Sequence, residues 1–397
     1  MSEQGRVSGP VGATGAILVV DDNEMNRDLL SRRLRRDGHV VTVAEDGRAA
    51  LDRLAREPFD LVLLDIMMPE LTGYEVLEIA KKDAALRDIP IVMITAATDE
   101  ESVVRCLSLG AEDHLPKPFN PAILRARVGS SLAKKRLRDT EKLYARSLER
   151  ELEIGREIQM GFLPASLPSP EGWEIRTHFR PARQVAGDFY DAFTLADGRV
   201  ALVLADVCGK GVGAALFMAL FRSLLRALAE PQFASAATPA EGLRATVLAT
   251  NDYIARTHDA ANMFATVFFA VLDPASGSFD YVNAGHEPPV LLAADGRVRG
   301  RLEPTGPAVG LMPAMEFGTS QACLAPGETM FAFTDGVGDA RDPDGSSFGE
   351  ARLLALLAER AARAGELLAR VDAALATHVG DGAPFDDVAM LAVRRES

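Results

Sequence analysis

The sequence predicts three successive architectures: a doubly wound α/β domain with a parallel five-stranded sheet, a long helical connector, and an α+β layered sandwich. Three observations carry this reading. Strand-like and helix-like runs alternate five times before residue 129, the pattern that builds parallel sheets. Residues 130–162 hold no proline and only two glycines, Gly155 and Gly161, and are dense in Lys, Arg, Glu, Leu and Ala. Beyond Pro164, apolar runs bounded by turn residues dominate, and helix-like segments come in pairs. A chain of 397 residues has room for two or three domains.

In the first domain, Ile17–Val20 is a short apolar strand and Glu24–Arg36 an amphipathic helix. The pair recurs as Val40–Val43 with Arg48–Arg56, Asp60–Leu64 with Gly73–Lys82, and Ile91–Ile94 with Glu100–Leu109. Asp113–Leu115 and a helix from Pro121 close the series. Ligands of such sheets sit at the carboxyl ends of the strands. Asp21 and Asp22, Asp65, Thr95 and Lys117 stand at those ends. Three gathered carboxylates repel and call for a cation, and oxygen ligands suit Mg²⁺. A lysine opposite them suits a phosphoryl group. Helix capping alone would account for the aspartates, but not for Thr95 and Lys117 at the same edge.

The stretches VVDDNEMNRDLL, LVLLDIMMPELTGYEV, IPIVMITAATD and GAEDHLPKPF resemble the receiver domain of two-component response regulators. The resemblance implies Asp65 as phosphoacceptor. It implies Mg²⁺ held by Asp22, Asp65 and the Met67 carbonyl, with Asp21 acting through water. Thr95 and Lys117 would bind the phosphoryl group, and a histidine kinase or phosphotransfer protein would donate it. His114 stands where the family usually has an inward-turning Tyr or Phe.

The connector reads as one helix continuing the last helix of the first domain. Leu137, Tyr144, Leu148, Leu152, Ile158 and Phe162 lie close to a stripe, but Glu151 or Gly155 falls on the seam in any register. A weak two-helix coiled coil, hence a homodimer, is the expectation; a single helix packed along its own second domain is the alternative.

Pro164, Pro168 and Pro170 stop that helix. Strands are expected at Glu174–Arg180, Asp188–Leu195, Val200–Ala205, Phe264–Leu272, Phe279–Ala284, Pro289–Leu292, Thr329–Phe333 and Asp387–Val393. Helices are expected at 214–228, 239–257, 350–362 and 365–378, the second opening with a capping box from Thr238 to Glu241. Asp188, Asp206, Asp335 and the pair Asp386-Asp387 each lie at or beside a strand end, with Gly187, Gly209, Gly211 and Gly336 close by. Each acid alone reads as a turn or a solvated strand end. Converging, the four would demand more than one divalent cation, and two ions about 3.5–4 Å apart can activate water and clamp a phosphoryl group.

VAGDFYDAF, LVLADVCGKGVGAALFMAL, MFATVFFAVLD, YVNAGHEPPVLL, FTDGVGDARDPDGSSFG and PFDDVAMLAV resemble the PPM (protein phosphatase 2C-like) serine/threonine phosphatases, in the bacterial class of the sporulation and stress-response phosphatases. By that resemblance Asp188, Asp206 and the Val207 carbonyl hold one Mn²⁺ or Mg²⁺. Asp206, Asp335 and Asp386 hold the other, with Asp206 bridging. Cys208 replaces the histidine of eukaryotic relatives and is expected to be a small packing residue. Ala186 and Gly213 depart from the usual Gly and Pro. His286 is expected to bond backbone near the site, and Lys210 either meets phosphate or is structural.

The domains so expected are a tail at 1–15, the receiver at 16–129, the linker at 130–163 and the phosphatase at 164–397. A net charge of −14 argues against a nucleic-acid partner. The three scattered cysteines fit a reducing compartment. Asp65 and Arg222 interrupt the longest apolar runs, so no membrane span is expected and a cytoplasmic protein is. The leading expectation is a response regulator whose phosphorylation at Asp65 controls a phosphatase acting on a phosphorylated anti-sigma-factor antagonist. The alternative is an inactive receiver-controlled scaffold that binds that phosphoprotein. A transcription factor lacks a helix-turn-helix after the connector.

Overall fold

The computed structural model describes residues 14–96 and 100–396. The expected N-terminal tail falls outside them up to residue 13. The chain divides into two compact units between Leu148 and Glu149.

The first unit alternates β1 (Ala16–Val20), α1 (Glu24–Arg36), β2 (Val40–Ala44), α2 (Gly47–Arg56), β3 (Leu61–Asp65), α3 (Gly73–Lys82), β4 (Ile91–Ala96), α4 (Glu100–Ser108), β5 (Asp113–Lys117) and α5 (Pro121–Phe162). The strands form a parallel sheet in the order β2-β1-β3-β4-β5. Apolar side chains leave both faces because helices cover both. Ile17, Val19, Leu61, Leu63, Val92 and Ile94 meet Leu30 and Leu34 of α1 and Leu124, Val128 and Leu132 of α5. Leu18, Val20, Val62, Leu64 and Met93 meet α2, α3 and Cys106 of α4. Thr72 and Glu75 form a full capping box at α3, which the sequence reading passed over.

The second unit begins within α5 and continues through β6 (Trp173–Arg180), β7 (Phe189–Thr194), β8 (Val200–Val207), α6 (Val212–Ser235), α7 (Pro239–Thr257), β9 (Ala265–Leu272), β10 (Ser278–Ala284), β11 (Val290–Leu292), β12 (Val298–Arg301), β13 (Ser320–Cys323), β14 (Thr329–Phe333), α8 (Gly336–Asp339), α9 (Glu350–Leu357), α10 (Ala364–Val379) and β15 (Val388–Arg395). Two antiparallel sheets, β13-β10-β9-β8-β7 and β12-β11-β14-β15-β6, pack face to face. The period of two along β8 shows how. Val200, Leu202 and Leu204 point into the core between the sheets, while Ala201, Val203, Ala205 and Val207 point to the core under α6 and α7. On the far side, β14 and β15 bury Phe331, Phe333 and Met390 against α9 and α10. The result is a four-layer helix–sheet–sheet–helix sandwich.

Three details differ from expectation. Helix α6 runs to Ser235 through Pro231 instead of ending at 228, because Ala229 and Phe233 continue its buried face. At α7, Glu241 accepts from the Ala237 N–H rather than from Thr238, so only the Thr238 half of the capping box forms. By length and composition α6 is apolar enough to cross a membrane despite Arg222; its Met218, Phe221 and Leu225 are packed in the core, and Arg222 pairs with buried Asp191.

Candidate functional site

The sheet edge of the first unit gathers the groups expected there. Among the described residues, Asp21, Asp22 and Asp65 are the acids whose ligand oxygens all lie within 4.8 Å of one another. Asp21 and Asp65 are buried, and Asp22 is exposed. Lys117 Nζ lies 3.0 Å from Asp65 Oδ2 and 3.2 Å from Asp21 Oδ2. Asn26 donates to both oxygens of Asp21, and the Ile66 N–H to Asp65 Oδ1. Burial, aided by the charge of Asp21, raises the pKa of Asp65 against the pull of Lys117. Burial pulls Lys117 down, but Asp65 and Asp21 carry it above the usual lysine range. Thr95 is buried at the end of β4, and its hydroxyl has no hydrogen-bond partner among the described residues. An orphaned buried hydroxyl beside an acid trio and a lysine fits an incoming phosphoryl group. Met67, just past β3, is exposed. His114 is partly exposed, 3.7 Å from Asp113, and stays a strand residue here.

In the second unit the acids come from both sheets. Asp188 precedes β7 and Asp206 lies in β8; Asp335 follows β14, and Asp386 and Asp387 precede β15. Strand ends of the two sheets thus bring four distant stretches to one rim. Burial and then the charge of Asp206 raise Asp188 well above the carboxylate range, against a 2.6 Å bond from the Thr334 hydroxyl. Burial also raises Asp206, with Asp386 and Asp387 adding to it. Burial and the charges of Asp206, Asp386, Asp339 and Glu287 push Asp335 up to about 7. Asp335 is nonetheless open to solvent, which screens that push. Acids that raise one another in this way hold uncompensated negative charge, the condition a hard cation relieves. Their spacing is wider than that of the Asp21 trio.

Close backbone approach builds the rim. A side chain at Gly336 would meet the Asp387 carbonyl oxygen at 1.9 Å, so only glycine lets β14 turn into α8 against the start of β15. Gly209 and Gly211 both adopt positive φ, which carries Lys210 between them. Lys210 Nζ lies 2.7 Å from Asp386 Oδ2 and donates to the Phe385 carbonyl at 2.9 Å. Cys208 Sγ accepts from the Phe264 N–H at 3.3 Å and sits beside Met263, a packing position. Buried His286 pairs through Nδ1 with Thr266 at 2.9 Å, and Asn283 Oδ1 accepts its backbone N–H. Burial drives its pKa down to about 3, so it is neutral.

Two residues to which sequence reasoning assigned no role hold the Asp188 loop. Asp387 is buried; its two oxygens accept from the N–H groups of Ala182, at 2.7 Å, and Gly187, at 2.8 Å. Gln159 of α5 pairs with Ala186 through both ends of its amide. The only signal for Asp387 was its place beside Asp386; Gln159 carried none.

A parallel five-stranded unit with an acid–threonine–lysine pocket, followed by a double antiparallel sandwich with an acidic rim, defines a receiver-domain protein with a PP2C-like output domain. Comparison with known proteins agrees. Residues 17–129 match the response regulator receiver domain and residues 196–396 match stage II sporulation protein E (SpoIIE). The chain belongs to the SpoIIE family. It is 43% identical over 263 residues to protein IcfG of Synechocystis sp., covering 62% of this chain and 41% of that protein. Over 116 residues it is 43% identical to the probable transcriptional regulator ycf27 of Guillardia theta, covering 29% of this chain and 44% of that one. The chain thus spans less than half the length of either relative. The SiaA-PP2C domain of Pseudomonas aeruginosa superposes with a TM-score of 0.51 at 24% identity, over 64% of this chain and 98% of that domain, a likeness of fold.

Proposed function

We propose that this chain is a cytoplasmic response regulator in which phosphorylation at Asp65 controls a metal-dependent phosphatase of phosphoserine and phosphothreonine proteins. The observation that carries the reading is the mutual elevation of Asp188, Asp206 and Asp335 at one rim of a PP2C-like sandwich. Asp188, Asp206 and the Val207 carbonyl, with Asp335 and Asp386, are the groups that would hold two Mn²⁺ or Mg²⁺ ions. Bound there, such ions supply charge neutralisation and an acidified water for in-line attack on phosphorus. The chain's own contribution is placement. Thr334 orients Asp188, Asp387 fixes the loop that carries it, and Lys210 beside Asp386 offers a cation to an arriving phosphoryl group. In the receiver, Asp65 accepts the phosphoryl group from a histidine kinase or phosphotransfer protein. Asp21, Asp22 and the Met67 carbonyl would hold Mg²⁺ with Asp65, and Thr95 and Lys117 bind the new phosphoryl oxygens.

The substrate we favour is a phosphorylated anti-sigma-factor antagonist, a reading that rests on the sequence resemblance to the bacterial partner-switching phosphatases. A homodimer through α5 is supported by the exposure of Leu137, Tyr144, Leu148 and Ile158 on that helix. The test is Mn²⁺-dependent hydrolysis of p-nitrophenyl phosphate by the full chain, beside Asp206→Asn, with and without beryllofluoride. Activity in wild type, lost in Asp206→Asn and altered by beryllofluoride only while Asp65 is intact, is the expected result. A wild type that binds phosphoprotein but hydrolyses nothing would favour the scaffold instead.

A further inference from the structure

Beside the acidic rim the second unit holds a cavity of about 190 Å³. Its walls are His258 and Asp259 past the end of α7, Met263 and Phe264 on the way into β9, and the turn Gly310-Leu311. The rim borders it. Strands β8 and β9 pair with Asp206 opposite Thr266 and Val207 opposite Ala265. The next step continues the ladder: the Cys208 N–H donates to the Phe264 carbonyl at 2.9 Å, and Cys208 Sγ lies 3.9 Å from Met263 Sδ. Two strand residues, about 7 Å, therefore separate Asp206 from the cavity wall.

The far wall is fastened in place. Asn251, fully buried, accepts the Gly310 N–H at 2.9 Å and donates to the Met312 carbonyl at 2.9 Å. Asp252 accepts the Ala314 N–H at 2.8 Å. Val309 and Ala265 exchange backbone hydrogen bonds, which ties the turn to β9. Gly310 has a φ of +97°, and a side chain there would meet Ile254 at 2.8 Å, so only glycine lets the turn lie this close to α7. The His258 ring stands edge-on to Phe217, 5.5 Å between centroids. The lining is of two kinds. Met263, Phe264 and the half-exposed Leu311 are apolar. Asp259 is exposed, and no cation among the described residues pairs with it. Arg256, one turn earlier, is held by Asp252 at 2.9 Å. An apolar wall beside a free carboxylate suits a side chain with a hydrocarbon stem and a cationic head, which is lysine or arginine.

We propose that this cavity receives a lysine or arginine side chain of the phosphoprotein substrate, from the residue about two positions away from the phosphorylated one. The inference rests on the phosphatase reading and adds a specificity site to it. An extended peptide advances about 3.3–3.6 Å per residue. With the phosphoryl group at Asp206, the distance to the cavity wall is thus the span of two residues. The stem lies along Met263 and Phe264, and the ammonium or guanidinium meets Asp259. A flanking cation also eases the approach of a doubly charged phosphoryl group to a chain whose net charge is −14.

The experiment measures kcat/KM of the full chain with Mn²⁺ on phosphoserine peptides. A single arginine is walked along an alanine background on both sides of the phosphoserine. Each value is divided by that for p-nitrophenyl phosphate, which has no flanking residue. Unfolding followed by Trp173 fluorescence checks the second unit. Expected in wild type is one register, two residues from the phosphoserine, at which arginine raises the ratio about fivefold, the size of an exposed ion pair. Asp259→Asn should abolish that preference. Asp259→Lys should reverse it, favouring glutamate over arginine in the same register. A wild type indifferent to where arginine stands, or an arginine preference that survives in folded Asp259→Lys, overturns the inference. A wild type that hydrolyses neither p-nitrophenyl phosphate nor any peptide overturns the phosphatase reading itself, and the role of the cavity with it.

Discussion

Replacing Asp387 by asparagine should cost about 2 kcal/mol of stability in the second unit, and the structure supplies the sum. Both carboxylate oxygens accept backbone N–H groups, from Ala182 at 2.7 Å and Gly187 at 2.8 Å. An amide offers one acceptor oxygen, so one of those N–H groups would face an NH₂ donor. If that group is Gly187, which is buried, the unsatisfied donor costs about 1–3 kcal/mol. An opposing term exists: burial, with the charge of Asp386, raises the pKa of Asp387. Removing that charge therefore offsets part of the loss. The net stays unfavourable because the donor-to-donor contact adds repulsion to the lost bond. The chain's lone tryptophan, Trp173, is buried in β6 and donates to the Pro274 carbonyl, so its fluorescence reports this unit alone. With a urea m-value of about 3 kcal/mol/M, the midpoint in EDTA should fall by about 0.7 M. A midpoint within about 0.2 M of wild type would show that the carboxylate does not hold the loop.

The pH dependence of the metal-free protein has a definite sign. Asp188 and Asp206 are raised and Asp335 reaches about 7, so the folded state binds protons more tightly than the unfolded chain. Stability is then full below the unfolded carboxylate pKa of about 4 and is lost as pH rises toward 7; melting in EDTA should drop across that window, and Mn²⁺ should reverse the trend above it. Asp191→Ala should destabilise by about 2–3 kcal/mol in urea titration, since it strands Arg222, 12% exposed, while the half-exposed Arg226 recovers water. Leu148→Glu places a charge on the exposed face of α5; if the proposed dimer forms through that face, sedimentation equilibrium should show a dimer for wild type and a monomer for the variant, with the Trp173 transition unchanged.

What could be read from the chain alone follows from where apolar periodicity exists. β8 was visible because its two faces are both buried, leaving an unbroken apolar run, and the receiver strands for the same reason. β12, reading VRGR, and β13, reading SQAC, were not anticipated: they are edge strands with little buried side-chain area, so no pattern marks them. The acids of the rim were found because each abuts such a strand. The split of labour between Asp386 and Asp387 was not, because one residue of register at the start of β15 decides which of the two faces the Asp188 loop. Gln159 escaped notice in a helix rich in polar residues, where a buried amide looks like any exposed one.

Lys210 shows how the acidic rim carries its own charge. Without cations the site still has to tolerate its own charge, and it does so by raising carboxylate pKa values and by laying Lys210 across Asp386 at 2.7 Å. On the proposed reading that arrangement leaves the rim unprepared, since a cation would have to displace protons and the lysine before the acids could bind it. On the phosphatase reading proposed above, the rim's affinity for cations would therefore be set against what they must displace.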